Sequence, residues 1–169
     1  HYNTPIKSLK ALTQQGFDAI FVGTGAPKGK ELNLPGRFES ENVHIGISWL
    51  ESVHFEHTDS IGPRVLIIGA GNTAMDCCRT AKRLGGTDVK VMARKPRNLF
   101  KASDWELEDA EEELVEILEN HSPTQFVVEN GKLVGMEFEL VSWTPGPKGR
   151  LQKEVHGTKI IPCDDIILA

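Results

Sequence analysis

The chain has 169 residues and a mass of 18.7 kDa, enough for one ordinary domain and part of a second. A net charge of −5 and a pI near 5.7 exclude a general basic nucleic-acid binder. No apolar run approaches the ~18 residues of a membrane span, and no signal-peptide core is present. The three cysteines, two of them adjacent, make neither a disulfide framework nor a zinc site and point to a reducing, cytoplasmic compartment. The chain opens at His1 without an initiator Met and closes on an apolar, strand-like segment, so we expect it to be a piece of something longer.

Residues 1–16 carry a modest helical pattern through Ile6, Leu9 and Leu12. Phe17 to Val22, stopped by Gly23-Thr24-Gly25, reads as a short buried parallel strand feeding a tight turn. Residues 26–42 are rich in Gly, Pro and charge and read as a linker, and Val43 to Val53 as a strand followed by a helical turn. After Gly62-Pro63 the pattern strengthens. Arg64 to Ile68 is an apolar, β-branched strand. Ala74, Cys77, Cys78 and Ala81 then mark one face of a helix that Gly85-Gly86 ends. Asp88 to Ala93 alternates as a second strand, and a basic loop, Arg94 to Lys101, follows.

Ser103-Asp104-Trp105-Glu106 has the form of a capping box. The helix it opens is expected to carry Leu107, Ala110, Leu114, Ile117 and Leu118 on one face, with the acids between Glu106 and Glu119 as its solvated side. Gln125 to Glu129, Asn130-Gly131 and Lys132 to Val141 predict a hairpin with a type I′ turn, because that dipeptide supplies two positive φ angles. A Pro/Gly loop at 144–149, a strand-like stretch from Leu151 to Ile161 and a short buried strand from Asp165 to Ala169 complete the chain.

Strand, Gly69-Ala70-Gly71-Asn72-Thr73-Ala74, helix is the G-x-G-x-x-A form of a dinucleotide-binding fingerprint. Gly69 permits the tight turn, Gly71 lets backbone approach a pyrophosphate, and Ala74 lets the helix pack on the strand. The helix N-terminus at Asn72 and Thr73 offers free N–H groups and the positive dipole end to phosphates. The glycine pattern alone is weak, but its setting between a strand and an amphipathic helix, with a second strand about 20 residues on, strengthens it. The alternative is a βαβ turn that binds nothing. A site for the unphosphorylated cofactor places Asp or Glu at the end of the second strand to bind the ribose hydroxyls. Here the positions hold Arg94, Lys95 and Arg97, which suit a 2′-phosphate, so NADPH is the expected nucleotide. A solvated basic loop is the plain alternative. Cys77 and Cys78 diverge by about 100° on the helix and read as packing residues, and the histidines have no metal spacing. Neither a catalytic residue nor a metal site is legible in the chain.

These stretches together resemble the glutamate synthase small-subunit family of NADPH-dependent flavin and iron–sulfur oxidoreductases. Phe17 to Pro27 looks like the family's strand and Gly-rich turn at the crossing between flavin and NADPH domains, and Leu34-Pro35-Gly36 like the step that follows it. Gly69 to Asp76 (GAGNTAMD) is similar to the family's GGGNTAMD, and Val89 to Ser103 to its strand with a basic end. The chain departs from the family at Ala93, where Tyr is common, at Lys95, where Arg is common, and at Leu114, where a glycine ends the helix. The helix is therefore expected to run longer here.

The resemblance implies a Rossmann-like three-layer α/β domain. Its parallel sheet would contain 64–69, 89–93, about 125–129 and 165–169, with an antiparallel β-meander between 132 and 161. It divides the chain into residues 1–42, a remnant of an FAD-binding domain with the crossing linker, and 43–169, the NAD(P)H-binding domain. In the intact parent it implies FAD, [4Fe–4S] clusters, an FAD domain and iron–sulfur segment in the same chain, and a larger catalytic subunit. The fragment alone should bind NADPH without turning over. A nucleotide-sensing regulatory domain without hydride transfer is the rival reading.

Overall fold

Alternation along the central strands sets the layering. The computed structural model describes residues 1–147 and 150–169. Five strands form a parallel sheet in the order β1-β8-β2-β3-β4: β1 Val43–Ile45, β2 Arg64–Ile68, β3 Asp88–Met92, β4 Glu116–Leu118 and β8 Asp165–Leu168. Val65 and Ile67 of β2 and Val89 and Val91 of β3 face one side, where they pack with Ile167 under three helices. These are α2 Gly46–His54, α3 Asn72–Arg83 and α4 Asp104–Glu112. Leu66, Met92, Ile166 and Leu168 face the other side and meet Phe126, Leu133, Met136, Phe138 and Ile161. The latter belong to an antiparallel meander of β5 His121–Glu129, β6 Lys132–Pro145 and β7 Leu151–Pro162. The continuous apolar runs of β2 and β8 thus fill two cores on opposite faces of one sheet, because successive side chains point to opposite sides. Each fully buried aliphatic side chain contributes about 1.5–3 kcal/mol of transfer free energy.

The three-layer α/β expectation is met, with two strands reassigned. Residues 125–129, placed in the parallel sheet by the resemblance, lie in β5 and pair antiparallel with β6, from Phe126 opposite Met136 to Glu129 opposite Lys132, as the Asn130-Gly131 hairpin predicts. The sheet position next to β3 is filled by β4, whose residues were expected on the α4 helix. Lys90 lies opposite Glu116, Val91 opposite Ile117 and Met92 opposite Leu118. The reason is local: α4 ends at Glu112, and Leu114 takes φ 62°, a left-handed turn that stops the helix and redirects the chain. The longer helix expected from the loss of glycine does not form. Leucine adopts the glycine-like conformation instead, at a cost of roughly 1–2 kcal/mol.

Asn130 and Gly131 take φ 53° and 75°, as the type I′ turn requires. β6 extends through Pro145, so the loop expected at 144–149 starts later, and residues 148–149 of that expectation lie outside the described residues. Ser103 is the N-cap of α4, but its hydroxyl makes no capping bond, so the reciprocal bonding of a capping box is absent. Its backbone carbonyl instead accepts from Glu106 and Leu107, and its N–H donates to the Asn72 side chain at 3.2 Å.

The helical pattern in residues 1–16 yields only α1, Leu9–Thr13, which buries no residue. Phe17 to Val22 is not a buried strand: no ladder forms there, and Phe17, Phe21 and Val22 are exposed. An apolar run without a hydrogen-bonded neighbour leaves its backbone to solvent and has no reason to extend into a strand. The linker beyond it does dock. Phe126 N–H donates to Pro35 O at 2.9 Å, and Arg37, almost buried, forks onto Glu31 through Nε at 2.6 Å and Nη2 at 3.1 Å. The Arg37 hydrogen bond holds the Glu31 carboxyl below its usual range.

Candidate nucleotide-binding site

The cleft lies at the carboxyl ends of the parallel strands, between the β2–α3 turn, the β3 end and the linker. Its volume is about 600 Å³, within the usual size of a ligand pocket, ~300–1,000 Å³. Gly69, Ala70, Gly71 and Thr73 form its floor, and Ile68, Met92 and Leu168 close it from the sheet side.

The two glycines of the turn face different constraints. Gly69 takes φ 141°, and a Cβ there would stand 2.2 Å from Ala169 O, so no side chain fits. Its N–H donates to Met92 O at 3.2 Å, which ties the turn to β3. Gly71 has an ordinary φ of −112°, and a Cβ added to it would meet nothing within 4 Å. That open space lies over the start of α3 and lines the cleft.

No side chain caps α3 and no acid occupies its first turn. Ala74 and Met75 N–H both donate to Gly71 O, leaving the amides before them without intrahelical acceptors. An uncapped helix start with donors facing open space fits a phosphate. Ala74 is fully buried against the sheet. Asn72 does not line the cleft. Its side chain holds Ser103 N–H, while Ala70 O accepts from Lys101 at 3.0 Å and Ala102 at 3.2 Å. The loop after β3 is thereby laced across the turn.

The three basic residues of that loop separate. Arg94 and Lys95 line the cleft, and neither pairs with a carboxylate among the described residues. Arg97 points away, with its guanidinium forked onto Glu111 of α4, Nη2 to Oε2 at 2.9 Å, and its backbone N–H on Glu119 at 2.5 Å. This Arg97 hydrogen bond lowers the Glu111 carboxyl from its usual range. Sequence spacing placed all three cations together because it cannot see α4 folding back beside the loop.

Lys28 and Lys30 of the linker and Lys101 of the basic loop also line the cleft. The two linker lysines carry no motif, and nothing in the sequence marks the linker's return to this end of the sheet. The cleft of an acidic protein is therefore rimmed by cations, which suits an anionic ligand.

The remaining chemistry-bearing side chains are elsewhere. Cys77, Cys78 and Cys163 are free and buried, and burial pushes each thiol up to about 12. Among the described residues no group of three or more His, Cys, Asp or Glu side chains is placed to hold a metal ion, and no helix is long and apolar enough to cross a membrane.

Comparison with known proteins bears on the fold and the family. The FprA oxidoreductase of Mycobacterium tuberculosis, solved in complex with NADPH, shares the fold at TM-score 0.73 and 15% identity, over 94% of this chain and 51% of that one. Among curated proteins, the NADPH-Fe(3+) oxidoreductase subunit beta of Geobacter sulfurreducens is 32% identical over 96% of this chain and 25% of its own length. The putative glutamate synthase [NADPH] small chain of Cereibacter sphaeroides is 38% identical over 90% of this chain and 39% of its own. The chain thus spans between a quarter and two fifths of these two relatives. The family model described as pyridine nucleotide-disulphide oxidoreductase matches residues 5–168. With its parallel sheet, glycine turn and cation-rimmed cleft, this chain belongs to the pyridine nucleotide-disulphide oxidoreductase family.

Proposed function

We propose that this chain is the NADPH-binding domain of a flavin-dependent oxidoreductase. The observation that carries the reading is the meeting, in one cleft, of an uncapped helix start and two cations free of carboxylates. Gly69, Ala70, Gly71, Asn72, Thr73 and Ala74 would build the pyrophosphate seat, through backbone approach at Gly71, free amides at the α3 start and packing at Ala74. Arg94 would take the 2′-phosphate through its fork, with Lys95 adding a point charge. Arg97 would contribute only by leaving Glu111, and its larger role here is to fasten α4 to the loop. The nucleotide, when bound, supplies the hydride, and this chain supplies its position and electrostatic setting.

Relatives named for NADPH or NADP(+), among them the formate dehydrogenase subunit beta of Moorella thermoacetica, favour the phosphorylated cofactor. In the whole protein we place FAD as the hydride acceptor and [4Fe–4S] clusters and a larger catalytic subunit beyond it, as in a glutamate synthase small-subunit-like enzyme. Residues 1–42 would be flavin-domain remnant and crossing linker, and 43–169 the nucleotide domain.

Anaerobic rapid mixing of the intact protein with NADPH tests the proposal. Bleaching of the oxidised flavin, slower or weaker with NADH, is the expected result. Nucleotide binding without any flavin reduction would replace it with a sensing domain.

A further inference from the structure

We propose that Trp143, a meander residue outside the cleft, is the positioning residue for the cationic 2′-phosphate seat. The inference rests on the NADPH reading above. β6 outruns β5: their pairing ends with His121 opposite Leu140, while β6 continues beside β7 to Pro145 opposite Leu151. The overhang is a two-stranded arm, and it carries Trp143 to the loop that follows β3. There the indole Nε1–H donates to Arg94 O at 2.8 Å, and Lys95 Nζ sits 6.0 Å from the centre of the ring. One side chain therefore holds the backbone of the first cation and offers its π face to the second.

The bond completes a series of anchors at the β3 end. Ala93 N–H donates to Leu118 O at 2.8 Å, His121 N–H donates to Ala93 O at 2.9 Å, and Trp143 then takes Arg94 O. The first two come from backbone and are indifferent to residue type. The third depends on an indole donor, so it is the one a substitution can remove. Arg94 is exposed and Lys95 half-buried, and neither side chain pairs with a carboxylate among the described residues. A fork recognises a phosphate only when its backbone is held in register, and the loss of that register falls on NADPH alone, because NADH presents no group there. Trp143 does not line the cleft, so it would act through Arg94 and Lys95.

Calorimetric titration of the intact protein with NADPH and with NADH, for wild type and Trp143→Phe, tests this. Phenylalanine keeps a ring for Lys95 and removes the donor to Arg94. The expected result is NADPH affinity about three- to tenfold weaker, the loss of one hydrogen bond, with NADH affinity unchanged. An unchanged NADPH-to-NADH ratio in Trp143→Phe, when Arg94→Ala lowers that ratio, overturns the inference and leaves the NADPH reading standing. Equal weakening of both nucleotides also overturns it, since that is the mark of a general structural role. A wild type that does not distinguish the two removes the NADPH reading and the inference with it. A measurement free of any change at position 143 is the indole N–H resonance of the wild-type protein. It should move on addition of 2′,5′-ADP and not of 5′-AMP, and an indifferent resonance contradicts the proposal.

Discussion

Two stretches of this chain carry nearly the same signature and meet opposite fates. Phe17 to Val22 followed by Gly23-Thr24-Gly25, and Arg64 to Ile68 followed by Gly69-Ala70-Gly71, are both short apolar runs ended by a glycine-rich turn. The second is a central strand with β8 on one side and β3 on the other, and Val65, Leu66 and Ile67 are essentially inaccessible. The first is unpaired and exposed. Strand propensity is the same kind of signal in each, so the difference lies in neighbours. A strand holds when hydrogen-bonded partners and a covering layer are present, and β2 has both. What makes the β2 turn a candidate site is therefore its frame, and the frame can be dismantled piece by piece.

Gly69→Ala should break the favoured stretch most severely. The new Cβ meets Ala169 O at a backbone angle that L-residues rarely adopt, so we expect a loss of at least ~3 kcal/mol, read by chemical denaturation, with nucleotide binding abolished. Gly71→Ala is its control, because the space above it is open. Stability should stay within ~0.5 kcal/mol while NADPH affinity falls by about tenfold or more, because on the proposed seating the methyl would intrude on the pyrophosphate.

The next largest effect comes from β8, the neighbour that Phe17 to Val22 lacks. Asp165 at its start is buried and accepts from Asn42 Nδ2 at 3.1 Å, His44 Nε2 at 3.0 Å and Gly62 N–H at 2.8 Å, joining β1, β8 and the entry to β2. Burial by itself raises its carboxyl pKa, but the bonds from His44, Gly62 and Asn42 outweigh it and hold the group below the usual value. A lowered native pKa contributes stability that is present above ~pH 4 and lost as pH falls through the native value. Asp165→Ala should cost about 2–3 kcal/mol at neutral pH by leaving donors unpaired, and should flatten the fall in stability below ~pH 4. Thermal melts across pH 2–7 on both proteins, read at roughly half-unit steps, check both effects.

Leu114→Gly should give the smallest change and the opposite sign. It relieves a left-handed leucine that is mostly exposed and so sharpens the turn that delivers β4 to β3. A gain of about 0.5–1 kcal/mol is expected, the relief of strain less the extra chain entropy of glycine. No gain in a denaturation experiment would mean that the turn is held by something other than residue 114.

These neighbours also mark where the sequence could be read and where it could not. The apolar run of β2, the alternation of β3, the apolar face of α3 and the Asn130-Gly131 turn are local signals, and each reappears in the structure. Leu107, Ala110, Ile117 and Leu118 kept helical spacing across two elements, because spacing does not register a single left-handed residue at 114. The place of 125–129 in the meander was marked locally by the Asn130-Gly131 turn, which sets Glu129 opposite Lys132 and Phe126 opposite Met136, whereas their place in the parallel sheet came from the resemblance alone. In the cleft, the glycine turn and Arg94 were legible as a motif. The diversion of Arg97 to Glu111, the linker lysines and Trp143 each required knowing which distant elements fold back to the end of β3.

On the proposed function, the β2 turn and the β3 end together recognise a 2′-phosphorylated dinucleotide. Calorimetric affinities of the intact protein for NADPH and NADH, before and after Arg94→Ala, test it most directly. We predict that NADPH binds more tightly and that the substitution costs ~1.5–3 kcal/mol, roughly ten- to a hundredfold, for NADPH alone. Equal affinities in the wild type, or a ratio unmoved by the loss of Arg94, would contradict it.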